Sequence, residues 1–279
     1  MSFGRTTWMS CISAASPFIA CLPSFAAGRF SLNGTAVRIG TCCATSTTSS
    51  CRTSAPSVIW RKIGINRVTV VGDTRFDRVL QIREEAKDLP LVELFKNNTM
   101  TFVAGSSWQP DEDLFIEYFN QHPEVKLIIA PHVIDENHLV EIIRKLKRPY
   151  VRYTRADEKN VRKADCLIID CFGLLSSIYR YGEIAYIGGG FGVGIHNTLE
   201  AAVYGIPVIF GPKYQKFQEA VQLLEAKGGF SVKSYEELKA LLDRMLEDES
   251  FLRETGTNAG TYVTGNAGAT DKVLGMINF

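Results

Sequence analysis

The residues best suited to chemistry follow an apolar run at 184–187. They are five glycines and a polar trio: Gly188, Gly189, Gly190, Gly192, Gly194, His196, Asn197 and Glu200. Glycine permits positive φ and lets a ligand approach the backbone without a Cβ in the way. A helix starting near His196 would present free N–H groups and a positive dipole end, which suit phosphate. The pattern therefore favours a site for a phosphorylated sugar or a nucleotide.

Each polar side chain of this segment has a functional and a structural interpretation. Glu200 could accept hydrogen bonds from two vicinal sugar hydroxyls, Asn197 could bind a phosphate or sugar oxygen, and His196 could donate to a phosphate. Alternatively, the glycines form only a tight strand–helix turn, Asn197 is a helix cap and His196 packs. The combined pattern is more specific than its parts.

Two further loops follow strand-like runs. Ser106 and Ser107 precede the acidic stretch 111–113. They predict either a second phosphate or sugar contact or an N-cap whose acids complement the helix dipole. His132 follows the run at 126–131 and indicates little alone. The sequence shows no serine triad, no paired carboxylates, no metal cluster and no phosphate-loop ATPase motif.

Alternating apolar runs and amphipathic segments predict the elements that position these residues. Strands are expected at 67–72, 100–105, 126–131, 166–170, 184–189 and 206–211, and helices at 111–122, 136–147 and 234–248. Short buried strands alternating with helices indicate βαβ units and a Rossmann-like α/β fold with a parallel sheet. Because such sheets bind ligands at the carboxyl ends of their strands, the three loops should share one edge.

Composition divides the 279-residue chain near residue 62. Residues 1–62 contain no Asp or Glu and carry six basic residues, so their charge of +6 leaves −5 for the rest of a chain of net charge +1. That balance gives no indication of nucleic acid as a partner.

No apolar run reaches the roughly 18 residues of a membrane-spanning helix. Five of seven cysteines fall in the first part without zinc-ligand spacing, and Cys166 and Cys171 are expected to be ordinary buried thiols.

The acid-free segment has several interpretations. An apolar stretch followed by small residues is typical of a secretory signal, and an Arg-bearing, Ser-rich, acid-free stretch is typical of a transit peptide. A disordered tail is the simplest alternative. We expect residues 1–62 to be poorly structured.

From about residue 63 onward the chain resembles the 3-deoxy-D-manno-octulosonic acid (Kdo) transferases, which are GT-B glycosyltransferases of lipopolysaccharide assembly. The specific match is GGGFGVGIHNTLEAAVYGIPVIFGP, beside the weaker matches GDTRFDRV, AGSSWQPDED and APHVIDENHL. Ile195, Ala201 and the absence of a basic residue after His132 depart from the family pattern.

The resemblance implies two Rossmann-like domains, with the donor CMP-Kdo held mainly by the C-terminal one. It implies a metal-independent, inverting transfer of Kdo to a lipid A precursor at the cytoplasmic face of the inner membrane, with no cofactor besides the donor substrate. This chain itself is expected to be cytoplasmic, without a transmembrane helix. The donor-site candidates are Ser106, Ser107, His132, Gly189, Gly190, His196, Asn197 and Glu200. Predicted boundaries are 1–62 for the aberrant segment, 63–98 for an interdomain strand and linker, and 99–279 for the nucleotide-sugar-binding domain.

Family members carry the catalytic carboxylate, a general base, in a domain that precedes the donor domain. Here the first acid is Asp73, so the catalytic residue is unknown and we expect an inactive donor-binding half. We hypothesise that residues 1–60 are a frameshifted remnant of the acceptor domain. If the codons of this segment are read in the shifted frame, their degeneracy allows three strings that the family has in the same order. They are Glu-Phe-Trp-x-Asn-Tyr-Leu at the start, then Trp-Tyr-Gly-Arg, then Phe-Asp-His-Leu-Phe-Val-Gln. Stop codons in the shifted frame of the coding DNA would refute this.

Two other functions remain open from the sequence. One is a GT-B glycosyltransferase or epimerase that uses UDP-sugars, which the base of the bound nucleotide would distinguish. The other is a non-catalytic nucleotide-sugar-binding module.

Overall fold

A computed structural model describes residues 19–22, 48–51, 68–192 and 194–276. The expected disorder and the frameshift interpretation of residues 1–62 fall almost entirely outside these residues. The described chain divides into two compact units, Met1–Thr74 with Gly268–Phe279, and Arg75–Ala267. The predicted boundaries at 62 and 98 stay a prediction.

In the smaller unit, the described residues form three short parallel strands and a helix. The strands are β1 (Ile19–Leu22), β2 (Thr48–Cys51) and β3 (Val68–Val70), which pair in the order β1-β2-β3. The helix, Ala269–Gly275, is the last described element and is numbered α11 below.

The larger unit is built on a seven-stranded, entirely parallel sheet. Its strands are β4 (Thr101–Ser107), β5 (Lys126–Pro131), β6 (Tyr150–Arg152), β7 (Cys166–Ile168), β8 (Ile184–Ile187), β9 (Val208–Phe210) and β10 (Gly229–Ser231). They lie in the order β10-β9-β8-β4-β5-β7-β6. The Rossmann-like parallel sheet expected from the sequence is confirmed.

Helices precede, connect and follow these strands. They are α1 (Thr74–Glu84), α2 (Pro90–Lys96), α3 (Gln109–Gln121), α4 (Glu136–Lys145), α5 (Glu158–Val161), α6 (Leu175–Ile178), α7 (Leu199–Ala202), α8 (Gln218–Glu225), α9 (Tyr235–Glu247) and α10 (Glu249–Gly265). Two short 3₁₀ turns, Tyr153–Arg155 and Tyr179–Tyr181, follow β6 and α6.

Both faces of the sheet are buried, because alternate strand residues enter two hydrophobic clusters. Val103, Ile128 and Phe210 join a cluster with residues of α2, α7, α8 and α10. Phe102 and Tyr186 join a second cluster with residues of α3, α4 and α9. A period of two with both faces covered is the arrangement expected of a parallel sheet between helical layers.

Strand order places a crevice at one point of this sheet. After β4 the chain moves through α3 to β5 on one side, whereas after β8 it moves through α7 to β9 on the other. Since β4 and β8 are neighbours, their connections diverge at their carboxyl ends. Ligands of open α/β sheets bind at such switch points.

Candidate functional site

The glycine loop after β8 is a compact turn. Gly192 and Gly194 both donate their N–H groups to the Gly189 carbonyl oxygen at 3.0 Å. Gly189 and Gly194 adopt φ of 92° and 111°, values that residues with a Cβ rarely adopt. The loop's turn therefore requires glycine at these two positions.

A buried carboxylate fixes this loop to the neighbouring one. Asp111 Oδ2 accepts the Gly189 N–H at 2.8 Å and the Trp108 N–H at 3.1 Å, and its Oδ1 accepts the Tyr186 hydroxyl at 2.9 Å. Burial raises the pKa of Asp111, against the opposing effect of these hydrogen bonds. Sequence reasoning predicted a capping or dipole role for the acids at 111–113 and missed the bond to the glycine loop.

Two of the glycines are required by packing between loops. A Cβ on Gly188 would lie 2.3 Å from the Ser106 carbonyl oxygen, and one on Gly190 would lie 2.6 Å from Gly211 Cα. A Cβ on Gly192, by contrast, would have no described heavy atom within 4 Å. Part of the glycine pattern thus serves loop packing, whereas Gly192 is not held by such packing among the described residues.

Asn197 and Glu200 lie beside each other at the start of α7. The helix begins at Leu199 rather than near His196 and is four residues long, so the predicted start was wrong. Asn197 Oδ1 accepts the Leu199 N–H at 3.2 Å, and its Nδ2 donates to Glu200 Oε1 at 2.9 Å. Asn197 thus caps the helix while orienting the half-buried carboxylate of Glu200.

Three rings stack where the loops after β4, β5 and β8 meet. The His132 ring lies 4.7 Å from the Trp108 ring and 4.3 Å from the His196 ring, with interplanar angles of 26° and 24°. The indole N–H of Trp108 donates to His196 Nε2 at 3.3 Å. The structure therefore brings His132 and His196 together and adds Trp108, which sequence reasoning missed.

The two serines occupy different environments. Ser106 is half-buried and adopts φ of 52°. Ser107 is fully buried, and its hydroxyl donates to Glu112 Oε1 at 2.9 Å. The Ser107 hydroxyl is thus engaged within the protein.

Glu112 also accepts a bond from His138 Nε2 at 3.0 Å, while His138 Nδ1 bonds to the Val133 carbonyl at 2.9 Å. Burial raises the pKa of Glu112. Burial lowers the pKa of His138, but Glu112 outweighs it and the net shift is upward. The bond between Glu112 and His138 ties α3 to α4.

A cation lies against the glycine loop. The Lys213 backbone N–H donates to the Gly190 carbonyl at 2.9 Å, and its Nζ donates to the Gly192 carbonyl at 3.1 Å. An ammonium has three donors, so this exposed group can also bind an anion. The apolar run at 206–211 predicted a strand here, without a role for the lysine that follows.

Three further features would bear on function if the described residues contained them: a metal site, a membrane-spanning helix and a reactive thiol. No cluster of three or more His, Cys, Asp or Glu side chains that could hold a metal occurs among them. None of the described helices combines the length and apolarity needed to cross a membrane. Cys166 is buried, and burial raises the pKa of its thiol.

Comparison with known proteins supports the sequence resemblance. No family model matches the chain. The 3-deoxy-D-manno-octulosonic acid transferase of Aquifex aeolicus is 31% identical over 193 residues, which cover 67% of this chain and 50% of that protein. The chain spans about half the length of the curated relatives it matches.

Solved structures show the same fold. The C-terminal CMP-Kdo binding domain of WaaA from Acinetobacter baumannii matches with a TM-score of 0.54 and 18% identity, covering 67% of this chain and 97% of that domain. Anabaena HepE in complex with UDP and glucose matches with a TM-score of 0.51 and 12% identity, covering 86% of this chain and 65% of HepE. By sequence and fold together, the C-terminal part of this chain matches the C-terminal half of the Kdo transferases, a family of GT-B glycosyltransferases.

Proposed function

We propose that the larger unit binds CMP-Kdo as the donor-binding half of a Kdo transferase. The observation that carries this is the switch point between β4 and β8, where the glycine loop and the Asn197–Glu200 pair follow the carboxyl end of β8. The Aquifex relative is named a Kdo transferase, and the similar Acinetobacter domain is named for CMP-Kdo binding.

In this proposal, different residues bind different parts of the ligand. Glu200, oriented by Asn197, accepts hydrogen bonds from the vicinal hydroxyls of the ribose. Lys213 faces the phosphate and compensates for the basic residue that is missing after His132. Gly192 leaves room for the ligand at the loop backbone. This binding uses no metal and no cofactor besides the donor substrate itself.

In the complete reaction the nucleotide leaves as an anion when the glycosidic bond breaks. A fixed cation beside the developing charge lowers the barrier, and we assign that contribution to Lys213, since α7 is too short to supply a substantial helix dipole. The acceptor in this proposal is a lipid A precursor in lipopolysaccharide biosynthesis at the cytoplasmic face of the inner membrane.

This chain is proposed to bind the donor without transferring the sugar. Deprotonation of the acceptor hydroxyl requires a general base, and the family places that carboxylate ahead of the donor domain. In this chain the residues ahead of Asp73 include no carboxylate side chain.

Calorimetric titration of the full chain with CMP and, in parallel, UMP tests the donor site. We expect CMP to bind more tightly, and Glu200→Ala to weaken CMP binding by about 10-fold or more, since hydrogen bonds to a charged group contribute about 1.5 to 3 kcal/mol. The matched control is Glu247→Ala, an exposed carboxylate at the far end of α9.

The outcomes separate the alternatives. A preference for UMP would assign the chain to the UDP-sugar proteins. Absence of binding by the folded chain, or equal affinity of Glu200→Ala and Glu247→Ala, would contradict the proposed site.

A further inference from the structure

The edges of the His196 imidazole have different neighbours. A Cβ on Gly189 would lie 3.3 Å from His196 Cδ2, so the Cδ2–Nε2 edge faces the glycine loop. Its Nε2 atom is bonded to the Trp108 indole N–H at 3.3 Å. At Nδ1, on the opposite edge, the described part of the chain provides no hydrogen-bond partner. Within the described residues, Nδ1 is therefore the imidazole nitrogen left for a ligand.

The bond from Trp108 determines which imidazole nitrogen carries the proton. Indole N–H is a donor only, so Nε2 must offer its lone pair and cannot bear hydrogen. A neutral imidazole with an acceptor at Nε2 carries its proton on Nδ1. The stack acts in the same direction, since burial and the neighbouring His132 both lower the pKa of His196. Within the described residues, the titratable group that stacks on His196 and lowers its pKa is His132.

We propose that Trp108 is a positioning residue that holds His196 as the neutral Nδ1–H tautomer, so that His196 meets a nucleotide oxygen as an uncharged hydrogen-bond donor. The second half of this statement rests on the proposed function. In this proposal Lys213 and His196 have different roles. Lys213 supplies the positive charge, and His196 supplies a directional hydrogen bond. A Trp108 that only packed against the histidines would leave the tautomer of His196 undetermined.

Nitrogen-15 NMR of the imidazole rings tests the tautomer directly in the ligand-free full chain. The chain has four histidines, so His196→Gln identifies the resonances of His196 by their loss. We expect the Nδ1–H pattern in the wild type near pH 7. In Trp108→Phe, which keeps an aromatic ring but loses the N–H, we expect the Nε2–H form to appear and the titration midpoint to rise by about one pH unit.

An Nε2–H or doubly protonated His196 in the wild type at pH 7 would overturn the proposal, as would an unchanged tautomer in Trp108→Phe. The tautomer of His196 in the wild type tests the proposal even if Trp108→Phe fails to fold. His132→Phe is the matched variant, because it keeps a stacked ring and the Trp108 N–H, and it should preserve the Nδ1–H form. A shift to the Nε2–H form in this variant would assign the tautomer to the stack and overturn the role of Trp108.

The ligand contact is tested by adding CMP and following the Nδ1 resonance, because the phosphate itself titrates near pH 6 and obscures pH profiles of affinity. A CMP-induced shift of Nδ1 supports the contact. An unmoved Nδ1 in a sample where calorimetry detects CMP binding overturns it. Absence of CMP binding would refute the proposed function and this contact with it, and the ligand-free tautomer would still decide the role of Trp108.

Discussion

At the scale of single residues, Asp111 joins two segments that are distant in sequence, the start of α3 and the end of β8 with the glycine loop that follows it. Its carboxylate accepts one bond from the start of its own helix, one from β8 and one from the glycine loop. It has no measurable exposure. The shape of the glycine loop therefore depends on one buried side chain from the neighbouring connection.

Replacing Asp111 by Asn tests this dependence. Asn offers one acceptor oxygen and turns an NH₂ group toward N–H and O–H donors, so buried groups lose their partners. We expect the free energy of unfolding to fall by about 2 to 3 kcal/mol, measured by urea denaturation. The control is Asp113→Asn, because Asp113 is half-exposed in an ion pair with Lys145 and such pairs contribute up to about 1 kcal/mol. Equal losses in the two variants would contradict the role of Asp111.

Contacts between residues close in sequence could be predicted, as for Asn197 and Glu200, which lie three residues apart at the start of a helix. Contacts between distant segments could not, because the bond from Asp111 to Gly189 spans 78 positions. Ser107 illustrates the opposite error. A serine after a strand suggests a ligand contact, but the buried Glu112 in the next helical turn engages its hydroxyl.

At the scale of elements, alternation of apolar runs and amphipathic segments predicted six strands and three helices of the described fold. In the seven-stranded sheet it missed β6 and β10, which are three residues each and too short for a periodic signal. It also missed α10, whose glycines lower helix propensity. Gly256 has a packing reason, since a Cβ there would lie 2.3 Å from the Gly205 carbonyl oxygen.

The glycine loop offers a matched pair of substitutions at this scale. Gly188→Ala forces a Cβ against the backbone of Ser106, so we expect a loss of about 1 to 3 kcal/mol of stability. Gly192→Ala meets no described atom within 4 Å, and we expect a change within about 0.5 kcal/mol but several-fold weaker CMP binding. Denaturation and calorimetry measure the two effects. A Gly192→Ala variant that binds CMP like the wild type would show that the loop backbone does not contact the nucleotide.

At the scale of the whole chain, charge is divided unevenly. Every Asp and Glu lies at or after Asp73, and the larger unit, Arg75–Ala267, contains the candidate site. A transferase must both bind its donor and deprotonate its acceptor. In the proposed function, the groups for the first task lie in the larger unit, and no carboxylate ahead of Asp73 is available for the second.

Binding and transfer should therefore separate in this chain. With CMP-Kdo and a lipid A precursor, we expect no Kdo transfer above background by the full chain, while CMP binding persists in the same preparation. The full-length Aquifex aeolicus relative, assayed beside it, shows that the assay detects transfer. Transfer by this chain would contradict its proposed inactivity. The general base would then be one of the carboxylates from Asp73 onward, and replacing each exposed acid near the candidate site would locate it. Absence of transfer together with retained CMP binding would leave a donor-binding unit whose chemistry requires a carboxylate from elsewhere.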